Sequence, residues 1–141
     1  DPCMVMSLES SASYVASNAC IDGYAVPAAL GVQLSTPESP VVAITSDESL
    51  IQSLESLWSV AHYGLPLKIV VVSAGGAARL MHPDMPNNAS FPFDSPPVDF
   101  VEAARAVHLK ASRATNMGEL EAAVNQLFEE SGPCLLEVKV S

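Results

Sequence analysis

Positive charge is scarce in this chain: six Lys and Arg stand against sixteen Asp and Glu in 141 residues, for a formal net charge of −10. Such a balance repels a phosphate backbone and no basic cluster offsets it, so nucleic acid is not an expected partner. Long apolar runs are missing as well. None approaches the roughly 18 residues that cross a bilayer, so a membrane is not expected either. Cysteines are few, and Cys3, Cys20 and Cys134 are widely spaced and odd in number. With no CxxC pair and no metal-ligand spacing, the expected setting is a reducing cytoplasm. Cys3 and Cys134 lie in apolar runs, where a thiol behaves as a small buried hydrophobe. The seven Gly and eleven Pro follow no period, which excludes collagen and solenoid repeats.

What remains is a chain with 49% apolar and only 16% charged residues, a poor match to disorder or coiled coil. Its length suits one soluble globular domain over residues 1–141. The first residue is Asp1 rather than Met and no basic n-region is present, which we read as a fragment or a processed chain.

Short β-branched runs alternate with segments of helical period. Strands are expected over 3–6, 41–45, 67–72 and 134–140, with a weaker one over 108–114. The runs at 41–45 and 67–72 are almost wholly apolar, as strands buried on both faces should be. Leu50, Leu54, Leu57, Trp58 and Ala61 recur at three- and four-residue intervals and predict one helix face, stopped by Tyr63-Gly64 with Pro66 beyond. Met117, Leu120, Val124, Leu127 and Phe128 predict a second face, capped by Asn116 with Glu119 three residues on. Phe100, Ala103, Ala104 and Val107 predict a third, opened by Asp99. The small apolar stretch 25–34 suits tight packing against a sheet. This alternation argues an α/β fold, a mainly parallel sheet with helices on both faces in three α/β/α layers. The stretch 79–98 carries five prolines and little periodicity, and reads as a lid or binding loop.

Ligands in parallel sheets sit beyond the carboxyl ends of the strands, which singles out the residues after Met6, Thr45 and Val72. Ser46-Asp47-Glu48-Ser49 follows one strand and Ser73-Ala74-Gly75-Gly76 the next. Asp47 is either the N-cap of a helix beginning near Ser49 or a metal ligand. Ser73 with His62 and Asp47 suggests a hydrolytic triad, but the nucleophile turn needs Gly-x-Ser-x-Gly and Val71 holds the first glycine's place. Gly75-Gly76 also suits a dinucleotide phosphate, though without a GxGxxG. His62, near a helix end, suits the helix dipole. His82 and His108 have no companion at metal spacing. Asn88-Ala89-Ser90 matches a glycosylation acceptor but has no secretory signal beside it.

Together with 23–34, with Leu57-Trp58-Ser59-Val60-Ala61-His62-Tyr63-Gly64-Leu65-Pro66 and with the closing Gly132-Pro133-Cys134-Leu135-Leu136-Glu137-Val138, this layout resembles the pyrophosphate-binding domain of thiamine-diphosphate-dependent enzymes. The resemblance is to the C-terminal domain of the benzoylformate decarboxylase and acetolactate synthase group, and it covers nearly the whole chain. It implies thiamine diphosphate and Mg²⁺ as cofactors, with attack on a 2-oxo acid and loss of CO₂. It further implies a partner pyrimidine-binding domain or subunit that supplies the activating Glu, and a homo-oligomer with sites at interfaces. The family motif reads Gly-Asp-Gly, about 25 residues, then Asn-Asn: glycines let N–H groups close on a diphosphate, and Asp and Asn oxygens hold the metal.

On that pattern Asp47, Ser49 and Gly75 are the implied cofactor contacts, and Asp47 is the implied metal ligand. The sequence departs from the pattern at three places. Ser46 and Glu48 replace the glycines, Ala74 stands where the metal-binding Asn would be, and Cys20-Ile21-Asp22 occupies the Gly-Gly-apolar site that bends the cofactor. A backbone carbonyl near Gly76 is a further implied metal ligand. Glu48 adds a negative charge that either repels the diphosphate or substitutes as a ligand. The alternative to a cofactor-bearing enzyme domain is therefore a non-catalytic paralogue with a structural or regulatory role.

Overall fold

The computed structural model describes residues 14–15, 21–74 and 97–140. The expected strand at 3–6 and nearly all of the 79–98 loop lie outside these residues, as do Cys3, Cys20, Gly75, His82 and Asn88. Four strands form one sheet: β1 (Val42–Ser46), β2 (Lys68–Ser73), β3 (Lys110–Ala114) and β4 (Cys134–Lys139). Their order is β1-β2-β4-β3 and every pairing is parallel. All four carboxyl ends therefore fall on one edge.

Helices α1 (Ala25–Ser35), α2 (Asp47–Ile51), α3 (Ser56–Tyr63) and α4 (Phe100–Ala106) cover one face, and α5 (Met117–Glu129) covers the other. The chain moves outward from β2 to β3 and then doubles back to place β4 between them. Because parallel crossovers are right-handed, that reversal sends α5 to the opposite face. Odd-numbered residues of β2 and β4 (Ile69, Val71, Leu135) pack under α1, α3 and α4 with Val26, Leu57, Val60 and Ala104. Their even-numbered neighbours Leu136 and Cys134 join Ala114, Ala123 and Leu127 beneath α5. Cys134 is buried as expected, its Sγ donating to the Leu127 carbonyl at 3.5 Å, and burial pushes the thiol pKa up.

Local signals explain most helix ends. Asp99 caps α4 by accepting from the Glu102 N–H at 3.0 Å, and Asn116 caps α5 by accepting from the Glu119 N–H at 3.0 Å. Gly64 closes α3 with φ 63°, a left-handed position that glycine takes without a Cβ penalty.

Four expectations need correction. The strand expected over 41–45 is buried on one face only, with Val42 and Ile44 exposed on the other. The single helix expected over Leu50 to Ala61 is two. The N–H groups of Ser53, Ser56, Leu57 and Trp58 bond to the third residue back rather than the fourth, a tighter winding. α3 turns Ser56, Leu57 and Val60 inward, which leaves Trp58 on its outer side at 60% exposure. Met117 and Phe128 are likewise exposed: the buried stripe of α5 runs through Ala123 and Leu127, flanked by Leu120 and Val124. His108 does not begin β3, because its φ of 65° makes it the turn after α4.

Candidate functional site

β1 ends at Ser46, whose hydroxyl accepts the Ser49 N–H at 3.2 Å and starts α2 at once. Ser46, not Asp47, is the cap, so the expected capping role of Asp47 is corrected. As the first residue of α2, Asp47 turns its carboxylate toward the next strand. Oδ1 accepts its neighbour's N–H, that of Glu48, at 3.0 Å. Oδ2 accepts the Ala74 N–H at 3.2 Å and lies 3.4 Å from the Ser73 hydroxyl. Register makes this possible: Ser46 pairs with Val72, so Asp47, just past β1, comes level with Ser73, the last residue of β2.

Ser49 draws in a third segment, its Oγ accepting the Gly23 N–H at 2.9 Å. Gly23 has φ 78°, and a Cβ there would stand 3.3 Å from the Gln52 carbonyl oxygen, so glycine is required. Asp47, Ser49, Ala74 and the 22–23 turn thus converge at the carboxyl edge, with Asp22 exposed beside Gly23 and Glu48 half-buried. The implied contacts Asp47 and Ser49 are brought together; Gly75 lies outside the described residues. The triad does not assemble, because exposed His62 stacks on Trp58 with ring centroids 5.1 Å apart and bonds to neither Ser73 nor Asp47.

The polar chain does not stop at Ser73. Lys139, its register partner on β4, donates from Nζ to Ser73 Oγ at 3.1 Å and lies 2.8 Å from Glu137 Oε1. Glu137 is fully buried on the central strand, and its Oε2 accepts Arg113 Nε at 2.6 Å. Arg113 NH2 then reaches Asp99 Oδ1 at 2.8 Å. A belt of side chains therefore crosses β2, β4 and β3, from Asp47 just past β1 to Asp99. The Glu102 N–H and then the Arg113 guanidinium hold the Asp99 carboxyl below the usual carboxylate range. Asp99 and Glu137 in turn raise Arg113.

Sequence reasoning missed Lys139, Glu137 and Arg113, and treated Ser46 only as a lost glycine. One signal was available: Glu137 and Lys139 are charged residues two apart in an otherwise apolar run, which puts both on one face of the strand.

The described residues do not fit a divalent ion. Oδ2 of Asp47 is engaged by the Ala74 N–H and the Ser73 hydroxyl, and the lone pair left on Oδ1 is far short of the oxygen set that Mg²⁺ requires. Ala74 offers no side-chain oxygen and turns an N–H, not a carbonyl, toward Asp47. Among the described residues no three of His, Cys, Asp and Glu gather as a metal-holding group. Donors for an anion such as a diphosphate are present, beside the carboxylates of Asp47 and Glu48 that oppose it. Ser46 and Ser49 each accept one backbone N–H and keep a hydroxyl proton to donate, and the Lys139 ammonium lies one hydroxyl away from Asp47.

No helix among the described residues is long and apolar enough to cross a membrane. The chain is 34% identical over 123 residues to a benzoylformate decarboxylase from Pseudomonas aeruginosa, covering 82% of this chain and 22% of the relative. It is 34% identical over 121 residues to the mitochondrial acetolactate synthase catalytic subunit of Saccharomyces cerevisiae, covering 84% of this chain and 18% of that one. Among solved structures, a thiamine diphosphate-dependent 4-hydroxybenzoylformate decarboxylase from Rhodococcus jostii RHA1 superposes with a TM-score of 0.74 at 27% identity, over 85% of this chain and 23% of that chain. The chain spans about a fifth of the length of the curated relatives it matches, which are multidomain or multisubunit enzymes. Residues 3–138 match the family model for the C-terminal TPP-binding domain of thiamine pyrophosphate enzymes, and the chain belongs to that family, as a domain similar to those of decarboxylases and acetolactate synthases.

Proposed function

We propose that this chain is the diphosphate-holding domain of a thiamine-diphosphate-dependent enzyme that decarboxylates a 2-oxo acid or condenses it in the manner of an acetolactate synthase. The observation that carries the proposal is the position of Asp47, Ser49 and Ala74 at one carboxyl edge, where the hydrogen bonds of Asp47 tie the ends of β1 and β2 together. Bound thiamine diphosphate supplies the electron sink for the reaction, while the protein supplies binding, orientation and charge. Asp47 holds the two strand ends at a fixed separation, and the Ser46 and Ser49 hydroxyls are donors for phosphate oxygens. Residues 1–141 form one such domain, with Gly75 an additional contact in the segment that follows Ala74.

A pyrimidine-binding domain or subunit completes the site, and the assembly is a homo-oligomer in the cytoplasm. The share of the relatives that this domain covers supports the first point. A second reading, a non-catalytic paralogue, is favoured by Ala74 and by the internal donors already on Asp47. The two part on one measurement. The native assembly, purified with whatever co-purifies, is denatured and the released thiamine diphosphate is quantified per chain. Near-stoichiometric cofactor is expected. None, even after incubation with excess thiamine diphosphate and Mg²⁺, would give the paralogue its case.

A further inference from the structure

We infer that the Lys139 ammonium takes the place of the divalent ion as the counter-charge for the diphosphate, so that this protein binds thiamine diphosphate without Mg²⁺. The inference rests on the proposed function above and goes beyond it in naming the cation.

The position of Lys139 comes first. In the parallel sheet it sits directly beside Ser73, at the strand end where the motif's second half begins, and its Nζ bonds to the Ser73 hydroxyl at 3.1 Å. That hydroxyl is 3.4 Å from Asp47 Oδ2, so a single oxygen separates the ammonium from the carboxylate expected to hold a metal. Glu137 anchors the lysine from below at 2.8 Å. Among the described residues the ammonium donates one hydrogen bond, to Ser73, and forms an ion pair with Glu137, so N–H donors remain for a phosphate oxygen. Its side chain is 42% exposed, so a ligand can reach it, whereas Lys68 at the opposite edge is buried on backbone carbonyls.

Composition and ligand chemistry agree. Of the basic side chains in the belt, Arg113 is held on both sides by Asp99 and Glu137. Lys139 alone of the two extends toward Asp47. A metal ion needs several oxygen ligands with available lone pairs, and this edge presents N–H groups and a fixed positive charge instead. Asp47 and Glu48 at this edge repel a diphosphate, and the Lys139 ammonium, one hydroxyl from Asp47, is placed to offset that repulsion. The loss of the side-chain oxygen at position 74 and the presence of Lys139 are thus two halves of one exchange.

The test uses the native assembly, with equilibrium dialysis against thiamine diphosphate in excess EDTA and again in excess MgCl₂. Affinity is expected to differ by less than about threefold between the two, because no metal ligand is being removed. Lys139→Met should weaken binding about tenfold or more in both buffers, and Lys139→Arg should restore most of it. Strong binding in MgCl₂ that vanishes in EDTA would overturn the inference and leave the proposed function standing. Unchanged affinity in a folded Lys139→Met protein would do the same. No binding in either buffer would overturn the proposed function and this inference with it. The EDTA comparison needs no variant, so it stands even if a substitution at 139 prevents folding.

Discussion

Two lysines mark the two edges of the sheet, and they are used in opposite ways. Lys68 opens β2 at the amino edge, is only 3% exposed, and donates to the carbonyls of Glu130 and Gly132 at 2.5 and 2.8 Å. Its acceptors belong to the turn between α5 and β4, so it ties β2 to that turn, with the Cys134 thiol beside it. Lys139 ends β4 at the carboxyl edge, is partly exposed, and has side-chain partners, Ser73 and Glu137. The amino edge is closed by groups that only hold structure. The carboxyl edge is closed by groups that can exchange one partner for a ligand, and there the backbone N–H of Ala74, the hydroxyls and the charges all face one another. A parallel sheet repeats this asymmetry generally, since helices begin at the carboxyl ends of its strands.

Removing Lys68 should break the comparison hardest. Lys68→Met leaves two buried carbonyls without donors and is expected to cost about 2–4 kcal/mol in denaturant unfolding. Thiamine diphosphate affinity of the molecules that remain folded should not change, and a parallel loss of affinity would show that the two edges are not independent.

Glu137→Gln comes next. The amide cannot serve both Arg113 and Lys139 as an ion, but Arg113 keeps Asp99 and both cations are partly exposed, so about 1–3 kcal/mol is expected. Here affinity should fall as well, because Lys139 loses the carboxylate that aims it. A stability loss with unchanged affinity would confine Glu137 to structure.

Acid should act last and most weakly, and on the carboxyl edge. Asp99 is held below 3.8 by the Glu102 N–H and then Arg113, and Glu119 below 4.5 by the Thr115 N–H and then its hydroxyl. Their stabilisation is complete above those values and is lost as pH falls through the lowered ones, since the unfolded chain takes up the protons first. The carbonyls around Lys68 gain no proton in this range. Thermal melts below pH 4.5 should therefore show a decline that Asp99→Asn reduces; an unaltered decline would assign it elsewhere.

Much of this molecule was written locally. The strands at 42–46, 68–73 and 134–139, the caps Asp99 and Asn116, and the stop at Gly64 depend on neighbours a few residues away, and periodicity or turn chemistry is enough to read them. The position of Asp47 at a strand end was legible for the same reason, and the resemblance to the family motif implied its meeting with Ser73-Ala74. The split between α2 and α3 was not legible, because an apolar period cannot tell fourth-neighbour from third-neighbour bonding.

The sequence by itself determined the α/β alternation, the family and the carboxylate at the edge of the sheet. Only the tertiary structure decided what stands beside that carboxylate. Ser73 and Lys139 are 66 residues apart, and they touch because the chain doubles back after β3 to insert β4 next to β2. Strand order follows from burying two faces of one sheet at once, a long-range requirement that leaves no mark in the local spacing of either residue.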